Sequence, residues 1–211
     1  MERVPSAERA ALRRLYQRDP RLAAIERAAG ALHWRIRPPG FATLLSAIVG
    51  QQISNTAANA IRARLEAAMP CGTPAGLLRL SEADLRGVGF SGQKIAYARG
   101  LAEACASGAL DPAAIAAMDD EDAIAAIGTL KGFGRWSAEV YLLFAHARRD
   151  VFPAADLALA SAAAHLLELP ERPKEKPFRA LAEAWAPYRG LAARLLWHHW
   201  RHVTSRPADA A

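Results

Sequence analysis

The 211-residue chain reads as all-α, on three observations. Alanine and leucine dominate while β-branched residues are scarce, a composition that favours helix over strand. Apolar positions recur at helical spacing nearly everywhere, and no segment shows a persuasive period-two alternation. Capping residues, prolines and glycines punctuate these runs where helices should start and stop. The length suits one domain with a substantial core, or two small helical subdomains sharing a cleft. An apolar share of 52% excludes a disordered chain.

Ser6 is the expected N-cap of a helix through about Gln17, and Asp19-Pro20 opens a second that runs to about Gly30. RIRPPG (35–40) is a rigid break. A long amphipathic helix from about Phe41 to Ala68 follows, with an interruption near Gly50. Pro70 to Pro74 form a loop, and Ser81-Glu-Ala-Asp84 has capping-box spacing ahead of Leu85. Shorter helices are predicted over about 92–107, 112–117, 120–127 and 136–147. Asp156 precedes an Ala-rich helix over about 157–168, and PERPKEKP (170–177) is a loop rich in proline and charge. Two last helices cover about 178–185 and 188–203, before a frayed tail, SRPADAA. The stretch LRGVGFS at 85–91 echoes LKGFGRWS at 130–137, with the leucine and both glycines in register, which suggests a recurring helical unit.

Lys and Arg number 27 against 21 Asp and Glu, a net charge of +6, and the pI is about 9.8. Such a balance suits a polyanionic partner, although excess charge also serves solubility alone. The two cysteines, Cys71 and Cys105, form no C-x-x-C pair, which excludes a zinc ribbon and a four-cysteine iron–sulfur cluster. They fit a reducing compartment without a disulfide framework. The charged N-terminus, MERVPSAERAALRR, lacks the apolar core of a signal peptide, and the longest apolar-rich run, FATLLSAIVG, is too short to span a bilayer. The expected location is cytoplasmic.

LKGFGRWSAEV (130–140) joins two helices with two glycines one residue apart. Glycine permits positive φ and close approach to the backbone. Here the free amides at the start of the next helix lie beside those of the turn, so amides and helix dipole can together hold an anion. An ordinary helix C-cap followed by a turn glycine explains the same residues. Asp156 also reads two ways: it is an ideal N-cap for the helix after it, and a carboxylate available for chemistry. The two roles are compatible, because a helix N-terminus stabilises negative charge.

The segment L-K-G-F-G-R-W-S-A, followed by Asp150-Val-Phe-Pro153-Ala-Ala-Asp156-Leu-Ala-Leu159, resembles the helix–hairpin–helix DNA glycosylase superfamily with its hairpin, Gly/Pro-rich loop and aspartate. Further matches are Ile48-Val-Gly-Gln51-Gln52-Ile-Ser54, Gly89-Phe-Ser-Gly-Gln-Lys94 and Trp185-Ala-Pro187-Tyr188-Arg189, ending in Trp197. The subgroup most like it is the bacterial 3-methyladenine DNA glycosylase II and its yeast relatives. The resemblance implies two helical subdomains flanking a cleft, one of residues 40–148 with the hairpin at about 130–136, the other combining 1–39 with 149–211. It implies a monomer acting on double-stranded DNA with damaged bases, associated with the nucleoid when acting. Strand-nicking members carry a lysine just after G-x-G-R, where this chain has Trp136. An indole cannot form a Schiff base, so that route to strand cleavage is absent at this position.

Residue by residue, the resemblance assigns phosphate contact to the hairpin around Gly132, Gly134, Arg135 and Ser137, with Lys131 beside it. Asp156 becomes the catalytic carboxylate, facing positive charge that builds on the deoxyribose as the N-glycosidic bond breaks. Alkylated purines of the 3-methyladenine and 7-methylguanine type already carry positive charge on the base and leave without a general acid. The base must first be flipped out of the duplex. Gln52, with Gln51 beside it, falls near the wedge that fills the gap; capping or bridging of helices is their plainer reading. Trp197, Trp136, Tyr141 and Trp34 are candidates for stacking on the flipped base, and each aromatic otherwise serves as core. The carbonyls of Gly128, Leu130 and Phe133 are expected to hold a monovalent cation, Na⁺ or K⁺; no other cofactor and no iron–sulfur cluster is implied. His198 and His202, four apart, lack a third partner for a catalytic metal. Arg35/Arg37 and Arg148/Arg149 are further phosphate neighbours or simply solvated charge. The rival readings are a glycosylase for deaminated or oxidised bases, and a damage-binding module without catalysis.

Overall fold

The computed structural model describes residues 3–204; the predicted frayed tail at 205–211 lies outside them. Twelve α-helices and two 3₁₀ turns make up the regular structure, with no β-strand among the described residues. None of these helices is long and apolar enough to cross a membrane. The chain divides into two compact units, one of residues 1–36 and 147–211, the other of 37–146.

The first unit opens with α1 (Ser6–Arg18) and α2 (Pro20–Ala29). Pro5, not Ser6, occupies the cap position of α1. Asp19 caps α2 as the sequence suggests, accepting from the Arg21 amide at 3.1 Å and from its guanidinium, and it also accepts from the Trp185 indole at 3.0 Å. The unit closes with α10 (Leu157–Leu166), α11 (Glu175–Ala182), a 3₁₀ turn at Glu183–Trp185 and α12 (Arg189–Val203). Helix α12 is the axis, packed against α1, α2 and α10, and its residues from Gly190 to His199 are buried without a break. A helix enclosed on all sides must satisfy its polar groups internally. Arg194 donates to the Arg35 carbonyl at 2.9 Å and lies 4.2 Å from the centroid of Trp34. His198 Nε2 meets the Gly30 carbonyl at 3.0 Å, and His199 Nε2 meets His165 Nδ1 at the same distance.

The second unit holds α3 (Phe41–Gly50), α4 (Asn55–Ala68), α5 (Pro74–Arg79), α6 (Glu82–Gly87), α7 (Gly92–Ser107), a 3₁₀ turn at Ala114–Ala117, α8 (Asp120–Gly128) and α9 (Arg135–Ala145). The predicted long helix is thus two helices, broken at residues 51–54 and restarted by Ser54, which accepts from the Ala57 amide. Helix α5 falls in a stretch read as following a loop; Thr73 caps it and Pro74 opens it. The capping box at Ser81–Asp84 forms in both directions. Helix α3 packs on α4, α7 and α9, while α8 packs on α9, so the apolar α3 sits at the centre.

Candidate functional site

The loop leading to Asp156 is fixed at several points. Gly190 donates its amide to the Arg149 carbonyl at 2.7 Å. A Cβ there would lie 2.6 Å from the Arg148 carbonyl oxygen, so only glycine allows this approach. Asp150 accepts from the Arg189 amide at 3.1 Å and from its guanidinium at 3.0 and 2.7 Å. Val151, Phe152 and Ala154 are buried, Arg179 donates to the Phe152 carbonyl, and the Asp156 amide donates to the Pro153 carbonyl. Asp156 therefore reaches the start of α10 in one defined pose. Its Oδ1 accepts from the Leu159 amide at 2.7 Å, the N-cap bond, and from the Trp197 indole at 3.2 Å. The second donor comes from α12, so two helices fix the plane of the carboxylate. Trp197, expected as a stacking ring, is 9% exposed and its N–H acts on the aspartate.

In the second unit the hairpin spans the gap between α8 and α9. Leu130 and Phe133 are buried, and the Phe133 amide closes the turn onto the Leu130 carbonyl at 3.1 Å. Gly132 has φ +92, and a Cβ on it would lie 2.3 Å from Tyr97 Cδ2. Gly134 is different: φ −96 and ψ 176 are extended values open to any residue, and a Cβ there would meet nothing within 4 Å. One glycine serves the turn and the tyrosine; the other leaves open space at the N-cap of α9, which no side chain caps. The apparent repeat fails in conformation: at 85–91 positive φ falls on the second glycine, Gly89, and Gly87 is helical. The Leu130 carbonyl uses one of its two lone pairs, so the hairpin keeps oxygen donors of the kind a monovalent cation takes.

Residues 51–54 form the second exposed feature of this unit. Gln52 has φ +57, a left-handed value rare outside glycine, and is exposed together with Ile53 at its tip. The Gln51 amide reaches across to donate to the Gly132 carbonyl at 2.8 Å. Lys94 donates to the Val49 carbonyl at 2.7 Å from a buried position; burial and the neighbouring Arg62 lower its pKa. Arg62 in turn holds Ser46 through its side chain and carbonyl. A cavity of about 550 Å³ opens here, and its lining includes Gln51, Gln52, Lys94, Tyr97, Trp136 and Tyr141. Trp136 is 42% exposed and presents a large aromatic surface, whereas the Tyr141 hydroxyl accepts from the Gly40 amide at 2.9 Å.

Other expected site residues have partners within the protein. Trp34 is 5% exposed with the Arg194 guanidinium over its ring, so in this structure its ring packs within the first unit. Burial pushes the Arg194 pKa down to about 10. Arg135 gives its guanidinium to Glu121, at 2.9 and 2.5 Å, and to Glu139 at 3.0 Å, and the hydrogen bond to Glu121 is the main cause of its raised pKa. These pairs brace α9 against α8, and the side chain remains 43% exposed. Arg149 is likewise paired, with Glu8, while Lys131 is exposed and Ser137 half-buried at the first turn of α9. No group of three metal-binding side chains occurs among the described residues, and His198 serves the Gly30 carbonyl. Tyr97 and Lys94 carried no assigned role in the sequence, although Gly-Gln-Lys94 lies within a matched segment. Their spacing on one face of α7 was the signal.

Comparison with known proteins places the fold among DNA repair proteins. The family model described as "HhH-GPD superfamily base excision DNA repair protein" matches residues 45–187. DNA-3-methyladenine glycosylase 1 of Schizosaccharomyces pombe is 34% identical over 170 residues, covering 79% of this chain and 72% of that protein. The crystal structure of a DNA-3-methyladenine glycosidase from Bacillus halodurans superposes with a TM-score of 0.83 at 31% identity, covering 93% of this chain and 91% of that one. A Schizosaccharomyces pombe 3-methyladenine DNA glycosylase in complex with abasic DNA gives 0.80 at 29% identity, covering 96% and 99%.

Proposed function

The chain belongs to the HhH-GPD superfamily of base excision DNA repair proteins, and on that footing we propose that it is a monofunctional DNA N-glycosylase that excises alkylated bases of the 3-methyladenine and 7-methylguanine type. The observation that carries the proposal is Asp156, fixed through Oδ1 by the Leu159 amide and the Trp197 indole, in a chain whose relatives are named for this activity.

Breaking an N-glycosidic bond builds positive charge on the sugar. A carboxylate already held in place stabilises that charge without having to reorganise during the reaction, and can orient or deprotonate the attacking water. A cationic alkylated base needs no proton from the enzyme to depart. One fixed carboxylate therefore suffices, and the products are the free base and an abasic site. Trp136 occupies the position where a nucleophilic amine would have to stand, which supports hydrolysis without strand cleavage. Its exposed ring, in the cavity beside Gln51 and Gln52, is a surface on which an electron-poor base can stack.

The hairpin supplies the sequence-independent grip. Gly134 leaves the amides at the start of α9 open to a phosphate oxygen, which fixes register without reading bases. The carbonyls of Gly128, Leu130 and Phe133 would hold a monovalent cation, which when bound adds positive charge toward the same phosphate. The net charge of +6 favours the duplex as partner.

The test is Asp156→Asn in a base-release assay over a panel of duplexes with alkylated, deaminated and oxidised bases. Base release should fall by about 10³-fold or more while affinity for abasic DNA stays near that of the parent. Unchanged excision by the variant would refute the mechanism. Preferential release of a deaminated or oxidised base by the parent protein would refute the substrate class.

A further inference from the structure

We propose that Gln51 is a positioning residue: through its bond to the hairpin it fixes the exposed tip of the 51–54 turn at a set spacing from the phosphate grip. The inference rests on the glycosylase reading above and adds to it a link between the two parts of the second unit that meet DNA.

Four contacts define the link. Gln51 Nε2 donates to the Gly132 carbonyl at 2.8 Å, joining residues far apart in sequence. Gly132 is itself held from behind by the Tyr97 ring, so closely that even a methyl group on the glycine has no room. Tyr97 is steadied by Gln93, whose amide meets its hydroxyl at 2.7 Å. One residue along α7, Lys94 takes the Val49 carbonyl at the end of α3. Helix α7 thus presents Gln93, Lys94 and Tyr97 to the turn on one side and the hairpin on the other, and Gln51 closes the frame.

What the frame holds is a strained tip. Gln52 sits at φ +57, a conformation an L-residue adopts only when its surroundings impose it, and Ile53 beside it is 37% exposed. The bonds made by Gln51 and Lys94 on the preceding residues supply that imposition. A flipped nucleotide leaves a gap in the stack next to the phosphate that the hairpin grips. A side chain fills that gap only if it stands at the right distance from the grip. A glutamine whose amide already serves Gly132 is engaged in setting that distance; Gln52 and Ile53 remain to enter the duplex.

The role separates from simple stability and from simple DNA affinity. Gln51→Ala and the near-isosteric Gln51→Glu, which cannot donate to a carbonyl when ionised, are compared with the parent in three measurements. Affinity for undamaged duplex, governed by phosphate contacts, should stay within about twofold for Gln51→Ala; the added negative charge of Gln51→Glu lowers it further, so base release is compared at saturating protein. Base release from an alkylated base in a fully paired duplex should fall at least tenfold. The deficit should shrink severalfold when the same lesion is unpaired in a bulge, where opening costs little. Fluorescence of a 2-aminopurine next to an abasic-site analogue, read at saturating protein, should rise less with either variant than with the parent. Equal base release by parent and variants, or an equal deficit in paired and bulged substrates, overturns the proposal. If the parent releases no base from any lesion, the glycosylase reading fails. The 2-aminopurine signal then still decides the role of Gln51: a response equal to the parent's overturns it.

Discussion

Replacing Gly132 by alanine tests the division of labour between the two hairpin glycines, because Gly134→Ala is its internal control. At Gly132 the φ of +92 costs an L-residue about 1–2 kcal/mol. The new Cβ would also stand 2.3 Å from Tyr97 Cδ2, so the ring or the hairpin must move, an overpacking cost of about 1–3 kcal/mol. Together these give about 2–5 kcal/mol. At about 2–4 °C per kcal/mol for a chain of this size, Tm should fall by about 4–20 °C. At Gly134 the backbone is extended and the site is open, so alanine should leave Tm within about 2 °C, since its main effect on stability is to restrict the unfolded chain. Its methyl group instead occupies the space a phosphate would approach, and duplex affinity should fall. Thermal melting and a salt-dependent binding titration separate the two effects. Tyr97→Ala combined with Gly132→Ala should recover the steric part of the loss and leave the φ part. If Gly132→Ala melts like Gly134→Ala, or the tyrosine deletion recovers nothing, the geometric account of the hairpin is wrong.

Further expectations concern the carboxylate, the brace and pH. Trp197→Phe keeps an aromatic side chain and removes the N–H on Asp156; a hydrogen bond to a charged group is worth about 1.5–3 kcal/mol, so single-turnover base release should slow by roughly tenfold or more, with duplex affinity unchanged. Arg135→Ala should lower Tm, because Glu121 and Glu139 lose a shared partner, but leave the slope of log affinity against log salt unaltered; a shallower slope would restore Arg135 as a phosphate contact. Burial lowers the pKa of His198 and His199, so protons bind the unfolded chain before the folded one. Stability contributed by the neutral rings is present above about pH 6.5 and declines as pH falls below it. Melting curves between pH 8 and pH 5 should show that decline, and His199→Gln should reduce it. A second loss should follow below about pH 4: although burial opposes it, hydrogen bonds from Arg21 and Trp185 to Asp19, and from Arg9 to Glu26, lower both carboxylate pKa values. Those contributions are present above the unfolded carboxylate range and vanish as pH falls through the folded values.

Much of the helical order was legible because it rests on local chemistry. Ser81 with Asp84, Asp19 with Pro20, and Asp156 before an alanine run signal helix starts through groups that bond within three residues. The break at 51–54 was visible only as a glycine, because what holds Gln52 at positive φ comes from the Gly132 carbonyl and from Lys94, far away in sequence. Distance in sequence also hid the partners of the charged residues. Arg135, read as a phosphate ligand beside a hairpin, is also paired with Glu121, fourteen residues earlier in the chain. Trp34 gave no sign that Arg194 would cover it. The echo between residues 85–91 and 130–137 misled for a related reason: identical glycine spacing does not dictate which glycine takes positive φ, since packing against Tyr97 decides that at Gly132 and contact with Ile61 and Arg64 at Gly89.

Asp156 shows why a structural and a chemical reading of one residue need not compete. As an N-cap it must place one oxygen on the Leu159 amide, and that requirement alone fixes the side-chain torsion relative to α10. The Trp197 indole meets the same oxygen from a second helix, so rotation about the carboxylate axis is restrained as well. A carboxylate tethered only by solvent would have to lose that freedom during each reaction cycle, whereas here folding has already removed it. Asparagine in this position can still cap, because its amide oxygen accepts the same bonds, so Asp156→Asn removes the charge with little disturbance of the helix. On the proposed mechanism the cap therefore orients the reagent, and the charge it orients is the part that the chemistry would require.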